Sequence, residues 1–161
     1  VRLHLGLHVG DHRVDLGLGD PGALDTHRLG GTGREVQGVT LTDEQGHTWH
    51  ADEPVADGGA DTAPTPMQLV LSGLGACTAI TLQMYAARKQ WPLSYVEVDL
   101  RLNAEGKPAD GNQITRSITL HGELDDEQRQ RLLQIANACP VHKLLEGKVS
   151  IPTALTEAAQ A

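Results

Sequence analysis

Apolar and polar residues alternate in short runs along most of the chain, and two stretches of helical periodicity interrupt them. From Arg34 onward, VQGVTLTDE, the pair Gln45-Gly46 and HTWHADEP read as strand, turn and strand, which predicts a β-hairpin. Asp57 to Pro66 is rich in Gly, Asp, Thr and Pro and predicts a loop. Thr65 then stands where a helix N-cap is wanted, and Pro66 stands where a helix entry tolerates a residue without an N–H. Met67 to Gln90 follows as a long helix, apolar on most sides and carrying the small residues Ser72, Gly73, Gly75 and Ala76. A helix of that kind is expected at the centre of a domain, with other elements packed close to its backbone.

Pro92 stops this helix, and Tyr95 to Asn103 (YVEVDLRLN) alternates as a half-buried strand. Glu105 to Gly111 is a turn, and Gln113 to Leu120 (QITRSITL) is a second alternating strand. Asp125 with Gln128 makes a capping pattern that opens a helix to about Ala138, with Leu132, Leu133 and Ile135 on one side. Pro140 is expected to end it, because the residue before proline is pushed out of the α region. His142 to Glu146 predicts a short helical turn, and Lys148 to Leu155 a last strand. Strand, strand, helix, strand, strand, helix, strand is the order of an α+β domain in which antiparallel sheet lies against helices.

Residues 1–33 differ from the rest, being built mostly from Gly, Leu, His, Asp, Arg and Val. Val1, Leu3, Leu5, Leu7 and Val9 alternate like a strand, yet the bias is that of low complexity. An added hairpin, a floppy extension and sequence upstream of the true start all stay open for it, so the division is an N-terminal extension (1–33) and a domain (34–161). His4, His8 and His12 repeat every four residues, a ligand spacing on a helix, but the glycine content argues against a helix and favours solvated histidines.

With 161 residues the chain suits one domain with its own core. It has no Phe, two Trp and two Tyr, so Leu, Val, Ile and Ala must fill the interior and base stacking is poorly supplied. A formal charge of -8 and no Lys/Arg cluster argue against nucleic acid as a partner. The apolar stretch from Leu69 to Leu82 is broken by Ser, Gly, Cys and Thr, which predicts a buried helix and no membrane span. VRLHLGLHVGDHRVDLG lacks the apolar segment and cleavage site of a signal peptide, so a cytoplasmic location is expected. In that compartment two cysteines favour a transient redox pair over a static staple, although a buried free Cys is also an ordinary small hydrophobe.

Cys77 lies in GLGACTAIT, about ten residues into the long helix, between small neighbours that leave its sulfur approachable. So far from the helix start the dipole gives a thiolate little support, and a cation must supply it. Cys139, read as lying at a helix C-terminus with an extended exit set by Pro140, is expected to stay a thiol until attacked, which suits a resolving role.

PTPMQLVLSGLGACTAITLQMYAARKQWPLSYVEVDL and RSITLHGELDDEQRQRLLQIANACPVHKLLEG together resemble the OsmC/Ohr family of hydroperoxide-reducing proteins, in the branch with GACTA around the first cysteine and CPVH after the second. The resemblance covers roughly Arg34 to Leu155. It implies an intertwined homodimer with a sheet wrapped around the central helix and a site at the subunit interface. It further implies a peroxidatic Cys77, a resolving Cys139, and reduction by a dithiol such as a dihydrolipoyl protein.

Peroxide-reducing members carry an arginine from an early strand and a glutamate just before the central helix. Gly33-Arg34 matches the first, with Arg28 as a rival. A guanidinium that is always charged can hold a thiolate and stabilise a leaving alkoxide. The glutamate position is taken by Met67 in Pro66-Met67-Gln68-Leu69. Met67 then reads as core or pocket lining, and Gln68 could hydrogen-bond the guanidinium through its carbonyl oxygen without supplying charge. Asp52, Glu53 and Asp61 are candidate substitutes from the loop, solvation being the simpler reading of each. His142 could accept the Cys139 proton or cap the short helix, and the two readings are balanced. A zinc site on Cys77, Cys139 and His142 lacks a fourth ligand.

The reaction these residues predict is attack of Cys77 on an organic hydroperoxide, a sulfenic acid, and a Cys77-Cys139 disulfide, as part of an oxidative stress response, with no metal or organic cofactor. A ligand-binding or redox-sensing module with slow cysteines, and a structural cysteine pair, are the alternatives.

Overall fold

The computed structural model describes residues 2–6, 25–28, 38–109 and 111–155, the first two segments by their backbone course. Its elements are β1 (Arg2–Gly6), β2 (Asp25–Arg28), β3 (Val39–Thr42), β4 (Thr48–Ala51), a short 3₁₀ turn (Val55–Asp57), α1 (Pro66–Lys89), β5 (Leu93–Leu102), β6 (Ile114–Gly122), α2 (Asp126–Ala136) and α3 (Pro140–Glu146).

The long helix starts where the local chemistry asks for it. Thr65 Oγ1 accepts the Gln68 N–H at 3.2 Å, and the Gln68 side chain accepts the Thr65 N–H at 2.8 Å, a reciprocal cap just ahead of Pro66. Asp125 and Gln128 cap α2 in the same way. Between β3 and β4, Asp43 accepts the backbone N–H groups of Gln45 and His47, and Gly46 takes the positive φ that closes the hairpin.

Two three-stranded antiparallel sheets form, ordered β1-β5-β6 and β2-β3-β4, so Arg2–Gly6 and Asp25–Arg28 supply outer strands. His4 falls on β1, while His8 and His12 lie outside the described residues. In the first sheet Val96, Val98 and Leu100 of β5 face Leu120, Ile118 and Arg116 of β6. A Cβ at Gly122 would run into the Pro92 carbonyl, so the β6 end closes on the start of β5 only with glycine there.

Helix α1 packs against β5, α2 and α3. The core is Leu71, Leu74, Ala79, Leu82 and Ala86 of α1, Val96, Val98 and Leu100 of β5, and Leu124, Leu132, Ala136 and Cys139. It contains no aromatic residue, in keeping with the composition, and each buried Leu or Val contributes about 1.5–3 kcal/mol. By length and composition α1 could cross a membrane, yet its buried positions are those of a core helix. Its other face is open: Met67, Val70 and Ile80 are exposed.

One expectation fails, and a second is incomplete. Lys148 to Leu155 is not a strand; Pro152 has no N–H to offer a ladder, and every residue of the segment is exposed, Val149, Ile151 and Leu155 included. Pro140 does end α2 and hold Cys139 extended (φ -64°, ψ 142°), but it also begins α3, because its fixed φ suits a first helical position.

Candidate functional site

The loop before α1 is held by one carboxylate. Asp52, buried at 4 % exposure, accepts hydrogen bonds from the backbone N–H groups of Glu53, Ala60 and Thr62 and from the Thr62 hydroxyl at 2.7 Å. Those donors, led by the Thr62 hydroxyl, hold its pKa down to about 2. Asp52 is therefore neither solvated nor free to meet an arginine, which corrects that reading; Asp61 is exposed and Glu53 half-buried. The loop is tight as well, since a Cβ at Gly59 would collide with the Glu53 carbonyl.

This loop delivers α1, which carries Cys77 on the side it shares with the exposed Val70 and Ile80, and α3 packs against α1. Cys77 is half-buried and Cys139 fully buried, both as free thiols. The two thiols lie near enough within one chain to couple: burial pushes the Cys77 thiol up, the adjacent Cys139 adds to this, and the Val141 backbone N–H and Thr81 hydroxyl partly offset it by favouring the thiolate. Arg34, the expected cation, lies outside the described residues, as do Gly33 and the Arg28 side chain.

Cys139 is placed differently from the expectation. It is the N-cap of α3, where its Sγ accepts the His142 backbone N–H at 3.3 Å. The helix end nearest this sulfur is therefore an N-terminus and not the expected C-terminus, which corrects the reading that a helix dipole keeps it a thiol. His142 meets Cys139 through its backbone; its ring is turned to Glu146, with Nε2 3.4 Å from Oε2. Met67 is half exposed on α1, so it is not core, and the Gln68 carbonyl oxygen is already used by the Thr65 cap.

Three residues given no role of their own in the sequence analysis form a network beside Cys139. Thr78, fully buried, donates its hydroxyl to the Leu74 carbonyl at 2.8 Å and lies 3.8 Å from Cys139 Sγ. Arg116 of β6 donates Nη1 to Thr78 Oγ1 and Nη2 to Asn137 Oδ1, each at 2.8 Å. A signal for Arg116 was present: in ITRSITL it occupies the inward phase shared by Ile114, Ile118 and Leu120, where an arginine is out of place. Beside this network opens a cavity of about 410 Å³, lined by Leu74, Ile114, Arg116, Asn137, His142 and Leu145 among others. Among the described residues no three His, Cys, Asp or Glu side chains converge as a metal site.

The "Hydroperoxide reductase" of Mycoplasma pneumoniae is 28% identical over 87 residues, 51% of this chain and 62% of that relative, so the alignment covers less than two thirds of its length. Among solved structures, the OsmC like protein from Mycoplasma pneumoniae superposes with a TM-score of 0.62 at 18% identity, over 78% of this chain and 87% of that one. The organic hydroperoxide resistance protein from Elizabethkingia anophelis, with thiocyanate bound, gives 0.55 at 20% identity over 78% and 89%. Identities this low establish the shared fold alone. The family described as OsmC-like protein matches residues 58–154, a span that holds both cysteines and more than half of the sequence, and the chain belongs to that family.

Proposed function

We propose that this protein is a cysteine-based peroxidase that reduces organic hydroperoxides to alcohols. The observation that carries the reading is the pairing, inside one chain, of a half-buried Cys77 with a fully buried Cys139 near enough to couple to it. Only the first can meet a substrate, and only the second is shielded until the first has reacted. The Cys77 thiolate attacks the peroxide oxygen, the O–O bond breaks, and the alkoxide takes a proton and leaves as alcohol. Cys139 then condenses with the sulfenic acid, releasing water and forming the disulfide, which an external dithiol such as a dihydrolipoyl protein reduces.

Arg34 is the proposed partner of the thiolate and of the leaving alkoxide. A second copy of the chain is the proposed cover for the open face of α1, whose exposed Met67, Val70 and Ile80 a homodimer would bury. The apolar character of that face favours an apolar hydroperoxide, and a cytoplasmic setting is proposed with it. Two observations favour the alternative, a sensing or binding module: the Cys77 thiol is pushed up by burial, and no acid stands at position 67. Thiol titration before and after one equivalent of cumene hydroperoxide separates the readings. Rapid loss of two thiols supports the peroxidase, slow loss the module, and unreactive thiols a structural pair.

A further inference from the structure

We propose that Arg116 and Thr78 are positioning residues for Cys139: the guanidinium fixes the Thr78 hydroxyl, and the hydroxyl aims the Cys139 sulfur at Cys77 for disulfide closure. The inference rests on the Cys77-Cys139 pair of the proposed function and on no particular oxidant.

The hydrogen-bonding inventory leads there. A threonine hydroxyl has one hydrogen and two lone pairs. The hydrogen goes to the Leu74 carbonyl at 2.8 Å, one lone pair takes Arg116 Nη1 at 2.8 Å, and the other faces Cys139 Sγ at 3.8 Å. In the thiol state the Cys139 hydrogen points at Thr78 Oγ1, while its sulfur accepts the His142 N–H at 3.3 Å. With both of these directions occupied, the sulfur has a lone pair left for Cys77. When Cys139 loses its proton, the Thr78 hydroxyl can turn its hydrogen from Leu74 to the sulfur, because the Leu74 carbonyl still holds its helix bond. The oxygen stays in place throughout, pinned by Arg116.

The second arm of the guanidinium makes the arrangement two-sided. Arg116 Nη2 holds Asn137 Oδ1, and Asn137 is the C-cap of α2, two residues before Cys139. One side chain on β6 therefore ties the turn that carries the sulfur to the hydroxyl of α1 that faces it. A tie between β6 and the helices needed no ion for packing alone, since Ile114 and Ile118 serve on the same face. Arg contributes what an aliphatic residue cannot: two directed donors in one rigid plane.

Oxidised glutathione tests this without peroxide. Cys77 attacks the glutathione disulfide and releases one glutathione thiol; Cys139 then attacks the Cys77 sulfur and releases the second, each proton passing to the departing thiolate. Acid quench and mass spectrometry resolve the two steps in the full chain. Thr78→Val and Arg116→Gln are expected to slow closure about tenfold, with the first step within about twofold of wild type, so that the mixed disulfide accumulates. Thr78→Ser should restore closure, and Arg116→Lys should restore part of it, whatever either does to the melting temperature. Wild-type closure in Thr78→Val and Arg116→Gln overturns the proposal, as does a Thr78→Ser variant as slow as Thr78→Val, or a wild-type mixed disulfide that never closes. Failure of the peroxidase reading looks different: cumene hydroperoxide leaves the wild-type thiols untouched while closure from the mixed disulfide still responds to the variants.

Discussion

Around Cys139 every direction is taken by groups of its own chain: Thr78 on one side, the His142 N–H on another, Cys77 on a third, with Arg116 and Asn137 bracing the turn behind. Around Cys77 the described residues supply burial, the Val141 N–H and the Thr81 hydroxyl, and on balance they push the thiol up. The α1 residues on either side of it, Val70 and Ile80, are exposed. A resolving thiol needs only a fixed geometry toward one partner, which a single chain can build. An attacking thiol needs an approach route and a cation, and both must come from beyond the residues that pack it.

The largest effect that would break this contrast concerns the sulfurs themselves. Cys77→Ser should abolish peroxide consumption, whereas Cys139→Ser should still complete one turnover and leave a sulfenic acid that dimedone traps. A Cys139→Ser variant inert to peroxide would reverse the two roles.

Next in size is the missing cation. Arg34→Ala should raise the pH at which Cys77 is alkylated and slow peroxide reduction by about 10²- to 10³-fold, the scale seen when one donor to a developing oxyanion is removed. Higher pH should restore part of the rate only, because thiolate returns and alkoxide stabilisation does not. Arg28→Ala should do neither. An unchanged alkylation profile in Arg34→Ala, with full activity, would take Arg34 out of the site.

The closed and open faces of the molecule should also differ in stability. Leu132→Ala, at a fully buried position in the core that also holds Cys139, should cost about 2–5 kcal/mol in urea unfolding. Ile80→Ala, at a position 52% exposed, should cost far less in dilute protein. If a second copy covers that face, Ile80→Glu should weaken self-association in sedimentation velocity; an unchanged sedimentation coefficient would leave the face without its proposed occupant.

The smallest predicted effect lies in the loop that feeds α1. Asp52 has its pKa lowered to about 2 by the donors around it, against about 4 in an unfolded chain. Its stabilising contribution is therefore present above about pH 4 and lost as pH falls through about 2. Asp52→Asn should lower the melting temperature at pH 7, and the gap to wild type should shrink steadily between pH 4 and pH 2. A gap independent of pH would mean that shape, and not charge, makes Asp52 fit its loop.

Some of this was legible from residues alone because its causes are local. Thr65 and Asp125 cap their helices with groups three residues away, and the β3-β4 turn uses Asp43 and Gly46 within five residues. The alternation of β5 and β6 was equally readable, since a period of two follows from the pleat. Lys148 to Leu155 reads as a strand by the same rule and is none, because a strand also needs a partner and no described segment takes that place. Pro140 reads as a stop and is also a start, a choice that depends on what α3 can pack against.

By itself, then, the sequence determined α1 and α2 with their caps, the alternation of β5 and β6, an interior poor in aromatics and the two cysteines as the chemical candidates. These follow from bonding over a few residues and from composition. Only the tertiary structure decided that Cys139 caps α3, that Asp52 is buried in its loop and that Met67 looks outward. It alone joined Thr78 to a sulfur 61 positions away and Arg116 to both Thr78 and Asn137. Each of those outcomes depends on which surfaces of distant segments are pressed together, and a contact between distant segments leaves no periodic trace in either of them.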